Sequence, residues 1–258
     1  MAPETGFGLN SRRILGFISS IPMEATGQTV RPTPTDDAFA AELRGFGPAG
    51  IIALLIILLT GNFILGDLFV LPVGATLVLV WARWSRTPWA ELGLARPRSW
   101  FVTLAGGLVF GVAFKLFLKA LVMPLLGADP VNQAYHFLAG NRALLPTAIW
   151  GMFAAGFGEE LVFRGYLFER LRRLGGTRPR AKVGIVLFTS LWFGAAHYLT
   201  QGLTGVEQAV IVGLVFGTIA MRTGRIWLLM IAHTAFDLTA LALIYGGWET
   251  TVARLVFK

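Results

Sequence analysis

The sequence predicts an all-α protein, a polytopic transmembrane bundle of about seven helices with room for an eighth, and three observations carry that prediction. Of the 258 residues 55% are hydrophobic and only 14% charged, with a mean hydropathy of +0.67, far too apolar for an ordinary water-soluble domain. Apolar stretches long enough to cross a hydrocarbon core, which takes roughly 20 helical residues, recur from about position 48 to the end. The third observation is the placement of the basic residues along those stretches.

Taken in order, the expected spans are 48–65, 67–83, 100–122, 144–168, 182–199, 205–221 and 226–246, separated by short polar or Arg-rich breaks. The chain divides into an N-terminal segment 1–46, a helical domain 47–246 and a short tail 247–258. The first two spans are bland apart from Asp67 at their turn. Gly-Leu-Val-Phe-Gly occurs at 107–111 and again at 213–217, each time a small-xxx-small pattern that lets helices approach closely. The N-terminal segment is of mixed polarity, with Pro32, Pro34, Asp36 and Asp37, and reads as a loosely ordered or interfacial segment on the cytoplasmic side. Ser11-Arg12-Arg13 before Ile14 resembles a twin-arginine signal, but Gly16, Ser19 and Ser20 interrupt the apolar run from Ile14 to Ile21 and make it a poor signal core.

A formal charge of +8 raises nucleic acid as a partner, and the placement of the 22 Lys and Arg answers it. With the N-terminus in the cytoplasm, sixteen fall in cytoplasmic segments: four before position 48, then Arg83, Arg86, Arg96 and Arg98, six between Arg170 and Lys182, and Arg222 with Arg225. Three fall outside: Arg142, Arg254 and Lys258. That is the asymmetry of the positive-inside rule, so the expected partners are membrane lipids and no nucleic acid. The Arg cluster at 170–180 reads as a topology signal in contact with anionic headgroups. Trp81, Trp84, Trp89 and Trp100 read as an interfacial aromatic belt. Lys115 and Lys119 read as snorkelling outward or facing the bundle, with no catalytic part. The absence of cysteine removes thiol nucleophiles, thiolate metal sites and disulfides.

Ionisable groups inside hydrocarbon cost several kcal/mol, so each asks for a partner or a function. In the fourth span Glu160 and Arg164 are four apart and can pair on one helical face, while Glu159 is turned about 100 degrees away. His197 ends the fifth span, and His233 and Asp237 share a face of the seventh. From helix rise, Glu159 lies ~21 Å from Arg173 and His197 ~22 Å from Lys182, with His233 and Asp237 ~12 and ~18 Å from Arg225. These residues therefore meet in one layer between helices of the C-terminal half.

Such a layer suits activation of water by a glutamate with imidazole assistance. It equally suits a divalent metal such as zinc, ligated by Glu159, His197, His233 and Asp237. Spacing alone leaves both open. A buried ion-pair network serving only helix packing is the plainer alternative.

The run Glu159-Glu160-Leu-Val-Phe-Arg164, then Phe193-Gly-Ala-Ala-His197, then His233-Thr-Ala-Phe-Asp237 resembles the EExxxR, FxxxH and Hxxx(N/D) motifs of the CAAX protease and bacteriocin-processing (CPBP, or ABI) family. The motifs cover about positions 150–240. The resemblance implies an intramembrane endopeptidase related to the type II CAAX prenyl endopeptidase, acting on a membrane-associated peptide or protein. It implies Glu159 as general base with His197 assisting, Glu160 and Arg164 supporting from the same helix, and His233 with residue 237 on the oxyanion side. Phe193, the first residue of its motif, is read as packing in support of the site. Relatives that cut prenylated proteins carry Asn where this chain has Asp237. An ionised Asp cannot donate to an oxyanion, so Asp237 is expected to be protonated, to orient His233 or to bind a cation, which leans toward a metal. The expected location is an integral, multi-pass protein, in the cytoplasmic membrane if the host is a bacterium. A proton-coupled transporter or a catalytically silent scaffold or immunity protein are the alternatives.

Overall fold

Helices with apolar surfaces and small residues at their contact points are what this sequence offers, and helices are what it forms. A computed structural model describes residues 34–62 and 67–257; the expectations for the first 33 residues, including the twin-arginine resemblance, fall outside them. Residues Ala38–Lys258 form one unit, distinct from Met1–Asp37.

The helices are α1 (Pro34–Arg44), α2 (Pro48–Asn62), α3 (Asp67–Trp84), α4 (Trp100–Phe117), α5 (Leu145–Glu159), α6 (Phe168–Gly175), α7 (Pro179–Ala196), α8 (Tyr198–Thr223), α9 (Trp227–Tyr245) and α10 (Glu249–Ala253). A π-helical turn at Leu118–Val122 and a short turn at Met123–Leu125 prolong α4, and a π-helical segment at Glu160–Leu167 joins α5 to α6. Gly202 at φ 63, ψ −162, a conformation open to glycine, breaks α8 near its start. The straight part of α8 therefore begins close to the expected 205.

The seven expected spans correspond to α2, α3, α4, α5 with its extension, α7, α8 and α9. Among the described residues, three helical stretches are individually long and apolar enough to cross a membrane: Trp100–Leu125, Tyr198–Thr223 and Trp227–Tyr245, or four if the bent pair at Asp37–Thr60 forms one span. The others fall short for physical reasons. The α2 helix has 15 residues, α5 ends at Glu159 and runs on into Glu160 and Arg164, and α7 begins with Arg180 and Lys182 in its first turn. Large apolar side chains stand exposed along α2 (Ile52, Leu55), α4 (Phe101, Val109) and α7 (Val183, Leu191). In water such surfaces would be a liability, whereas lipid is their matching solvent. The chain is an integral membrane protein.

Packing around the site depends on glycine. Helices α4 and α9 run parallel, with Trp100 edge-on to Trp227 at 5.3 Å, and Gly107 and Gly111 give α4 its close approach to α9. The second Gly-Leu-Val-Phe-Gly copy does the same between α8 and α7, with Gly213 against Ser190 and Gly217 against Val186. A Cβ on Gly111 would lie 2.8 Å from Ala235 Cβ and 2.9 Å from the Ala232 carbonyl carbon, a clash with backbone that side-chain adjustment cannot relieve. Gly111→Val is expected to cost about 3 kcal/mol, the upper part of the range for overpacking, and to lower Tm in detergent by several degrees. Gly184→Ala, where a Cβ meets nothing within 4 Å, should leave Tm unchanged.

One end of the bundle is knitted by the basic residues. Arg44 pairs with Glu91 Oε1 at 2.6 Å, Arg173 reaches Glu91 Oε2 at 3.5 Å and also pairs with Glu169, and Arg172 donates to the Glu91 carbonyl at 2.7 Å. Ile226 N donates to the Gly93 carbonyl at 3.0 Å, bringing the α8–α9 turn to the same end. Two expectations need correction here. Trp81 is 3% exposed, its Nε1–H donating to the Leu43 carbonyl at 3.1 Å, so it is core and not interfacial belt; Trp84, Trp89 and Trp100 remain exposed. Arg170 is 1% exposed, paired with Glu169 and lying 4.4 Å over the Trp81 ring, so it ties helices together and does not face headgroups. Arg178 and Arg180 are exposed.

Burial by itself would raise the Glu91 carboxyl, but the hydrogen bond and charge of Arg44, with Arg173 beyond, hold it below its ordinary value. A depressed folded-state pKa contributes stability that is present above the unfolded value of ~4.3 and lost as pH falls through the folded value. Glu91→Gln is therefore expected to lower Tm slightly at pH 7, the pair being half-exposed and screened, and the gap to wild type should close toward acid. Thermal scans across pH check this; a gap that widens on acidification contradicts it.

Candidate active site

The fourth expected span changes helix type where its charges begin. From Glu160 to Leu167 the backbone is π-helical, a wider turn that recurs at functional sites. Every residue of that segment is buried. Arg164 Nη1 donates to Glu160 Oε1 at 2.9 Å, the pairing that the four-residue spacing predicts. The Arg164 guanidinium also lies 4.5 Å over the Phe193 ring.

His233 sits where α9 faces this segment, and its two ring nitrogens meet different carboxylates. Nδ1 is 2.9 Å from Glu160 Oε1, while Nε2 is 3.6 Å from both Glu159 Oε2 and Asp237 Oδ2. Glu160, bound to Arg164, is an ionised acceptor, so Nδ1 must carry the hydrogen of that bond. Nε2 is thereby left to the gap between Glu159 and Asp237, just beyond hydrogen-bond distance of each. Close approach of the two helices makes this possible: a Cβ on Gly156 of α5 would collide with Thr234 of α9.

The two glutamates are not equivalent. The Glu160 side chain is 0% exposed and serves two partners through one oxygen, whereas the Glu159 side chain is 14% exposed and reachable. Asp237, 21% exposed at its side chain, lies within electrostatic range of His233, Glu159, Lys115 and His197.

His197 stands at the α7–α8 junction, half-buried. Its Nδ1 is 2.7 Å from the Phe193 carbonyl, which only accepts, so Nδ1 carries the hydrogen and Nε2 is the basic nitrogen of the ring. The Phe193 ring contacts both imidazoles, His197 at 4.6 Å and His233 at 6.0 Å between centroids. Phe193 thus packs against Arg164, His197 and His233 together. The fold thus gathers Glu159, Glu160, Arg164, Phe193, His233 and Asp237 in one cluster, with His197 joined to it through Phe193.

Phe163 and Phe216, not singled out by the sequence, and Lys115, read there without a catalytic part, complete the surroundings. Phe216 of α8 stacks edge-on to His233 at 5.8 Å, and Phe163 to Phe193 at 5.0 Å. Lys115 lies over Phe236, the neighbour of Asp237, at 4.7 Å. Phenylalanines are too common in this chain to be flagged, but an intramembrane lysine is a signal in itself.

A zinc site needs three protein ligands converging on one point. Each histidine turns Nδ1 to a protein acceptor, as metal-ligating imidazoles also do. As placed, no three His, Asp or Glu side chains among the described residues are grouped to hold a metal ion.

No curated protein and no solved structure matches the chain. Residues 141–239, the stretch that holds every one of these site residues, match the family model described as Rce1-like, Type II CAAX prenyl endopeptidase Rce1-like, in agreement with the family its motifs resemble.

Proposed function

We propose that this protein is an intramembrane endopeptidase that hydrolyses a peptide bond in a membrane-associated peptide or protein. The observation that carries the reading is one buried imidazole bracketed by two carboxylates, Glu160 at Nδ1 and Glu159 at Nε2, within an apolar bundle. A network serving only helix packing requires no second carboxylate and no reachable one.

In the proposed reaction Glu159 takes a proton from water held beside it, assisted by Nε2 of His197. The hydroxide attacks the scissile carbonyl carbon, and the electrons of the carbonyl π bond move onto its oxygen. His233 in its doubly protonated form donates Nε2–H to that oxyanion, a duty that an ionised Asp237 cannot perform; Asp237 instead orients the ring and offsets its charge. The oxyanion then re-forms the carbonyl as the C–N bond breaks and Glu159 returns its proton to the leaving amine, giving a carboxylic acid and an amine; the acid passes its proton to the amine, so the products are a carboxylate and an ammonium. Glu160, fixed by Arg164, holds the His233 tautomer throughout, the part that a buried carboxylate plays in hydrolytic triads. We place the basic end of the bundle and the N-terminus in the cytoplasm, and the protein in the cytoplasmic membrane if its host is a bacterium.

The test is cleavage of a fluorogenic peptide library by detergent-purified protein, with metal content measured on the same samples. Wild type should cleave, and His197→Ala should lose most of that activity at unchanged Tm. Stoichiometric metal that disappears with His197→Ala would replace the metal-free mechanism with a metal-dependent one. No cleavage by wild type, with transport or partner binding intact, would favour the carrier or scaffold.

A further inference from the structure

Two lysines four residues apart on α4 and its extension, Lys115 and Lys119, face a cavity of about 150 Å³ at the end of the bundle opposite the arginine-rich one. The walls come from Asn132 in the loop before α5, Gln201 and Gln208 of α8, and Glu249 of α10. The lysines differ in how their charge is met. Lys119 pairs with Glu249 Oε1 at 3.2 Å and donates to the Pro130 carbonyl at 2.6 Å. Glu249 also accepts from Asn132 N at 2.9 Å, which ties that loop to α10.

Lys115 is 6% exposed, deeper than Lys119, and its hydrogen bond goes to a neutral amide, Gln208 Oε1, at 2.9 Å. Its ammonium lies 4.7 Å over the Phe236 ring. Among the described residues it makes no ion pair; Asp237 acts on it electrostatically without contact. A buried ammonium is costly unless paired, and a ring face and an amide oxygen offset only part of that cost. The unmet remainder faces a cavity that Lys115 and Gln208 both line, and the Phe236 ring under the ammonium belongs to the residue before Asp237. Gln208, whose oxygen is occupied by Lys115, keeps its amide hydrogens for an acceptor placed beside the ammonium.

We propose that Lys115, with Gln208, is a recognition subsite for a carboxylate of the substrate, which completes the missing ion pair and anchors the peptide with its scissile bond against Glu159 and His233. The anion is a carboxylate because an ammonium beside amide donors suits one compact acceptor pair. Two sources share that chemistry, the chain terminus of the peptide and an acidic side chain. The proposal rests on the protease reading, and binding tests it separately from cleavage.

The probes are a dansylated apolar pentapeptide with a free carboxylate, the same peptide amidated, and the amidated peptide with a central Glu. Each is titrated into detergent-purified Glu159→Gln protein, in which the probe is not consumed. With Lys115 present the free acid should bind roughly tenfold or more tightly than the amide, the scale of one charge-assisted contact. In Glu159→Gln/Lys115→Met that preference should fall to about twofold or less, while Lys115→Arg, which keeps the charge, should retain most of it. Tm is measured alongside, and Lys115→Met should not lower it, since an apolar chain of similar size replaces a buried cation. Recovery of tight binding by the internal Glu assigns the subsite to a side-chain carboxylate; its failure beside a preferred free acid assigns it to the terminus. Equal binding of acid and amide to the Lys115 protein, or a preference that survives Lys115→Met, overturns the proposal. Cleavage with no carboxylate preference refutes the subsite alone, and a preference in a protein that never cleaves refutes hydrolysis alone.

Discussion

A Glu159→Gln variant is expected to lose peptide cleavage by about 10²–10⁴-fold, the usual contribution of a positioned general base, while unfolding at the same temperature as wild type. The isostere keeps the volume and polarity of the side chain and removes only its ability to accept and return a proton. Stability should hold because Glu159 is the more exposed of the two glutamates and the amide keeps the size and polarity of the side chain. Glu160→Gln should behave otherwise. It removes the ionised partner of both Arg164 and His233 Nδ1, so activity and Tm should fall together. Cleavage by purified variants, read beside their thermal scans, separates the two. Glu159→Gln cleaving within tenfold of wild type, beside a stable and inactive Glu160→Gln, would move the base to Glu160.

The largest stability effect is expected at Arg164. Its side chain is 2% exposed and neutralises a glutamate that is 0% exposed. Removing one partner of a buried pair leaves the other uncompensated, at a cost of about 3–5 kcal/mol. Arg164→Ala should therefore give the lowest Tm among single changes in the site, or fail to accumulate as folded protein. The paired replacement Glu160→Gln/Arg164→Met should be milder than Arg164→Ala alone, because it removes both charges and keeps the volume. Arg164→Lys should recover only part of the loss, since an ammonium lacks the planar fork that meets Glu160 while lying over Phe193. Thermal unfolding in detergent ranks the four proteins. An Arg164→Ala protein as stable as wild type would mean that the pair contributes little to holding α5 and α9 in register.

Much of this arrangement is legible in the sequence because it rests on period and cost. The four-residue spacing of Glu160 and Arg164, and of His233 and Asp237, places each pair on one helical face, and the structure has both within reach of one another. The glycine pattern at 107–111 marks the α4–α9 contact because only a missing side chain allows backbones so close. Other features depend on partners distant in the chain. That His233 Nδ1 reaches Glu160 while Nε2 faces Glu159 follows from the rotation of α9 against a π-helical segment, and spacing within α9 carries no trace of it. Arg170 looks like one more member of a basic cluster, and its burial becomes evident only when Trp81 and Arg44 arrive from other helices. Lys115 reads as either snorkelling outward or facing the bundle, and only its partners on α8 and α9 decide for the bundle.

The central claim is that this chain cuts peptide bonds at the membrane through Glu159. Its most direct test compares the protein N-termini in membranes of cells carrying wild type with those in cells carrying Glu159→Gln at equal expression. New termini, at or beside apolar segments, are expected with wild type and absent with the variant. Identical sets of termini in the two membranes would contradict that claim.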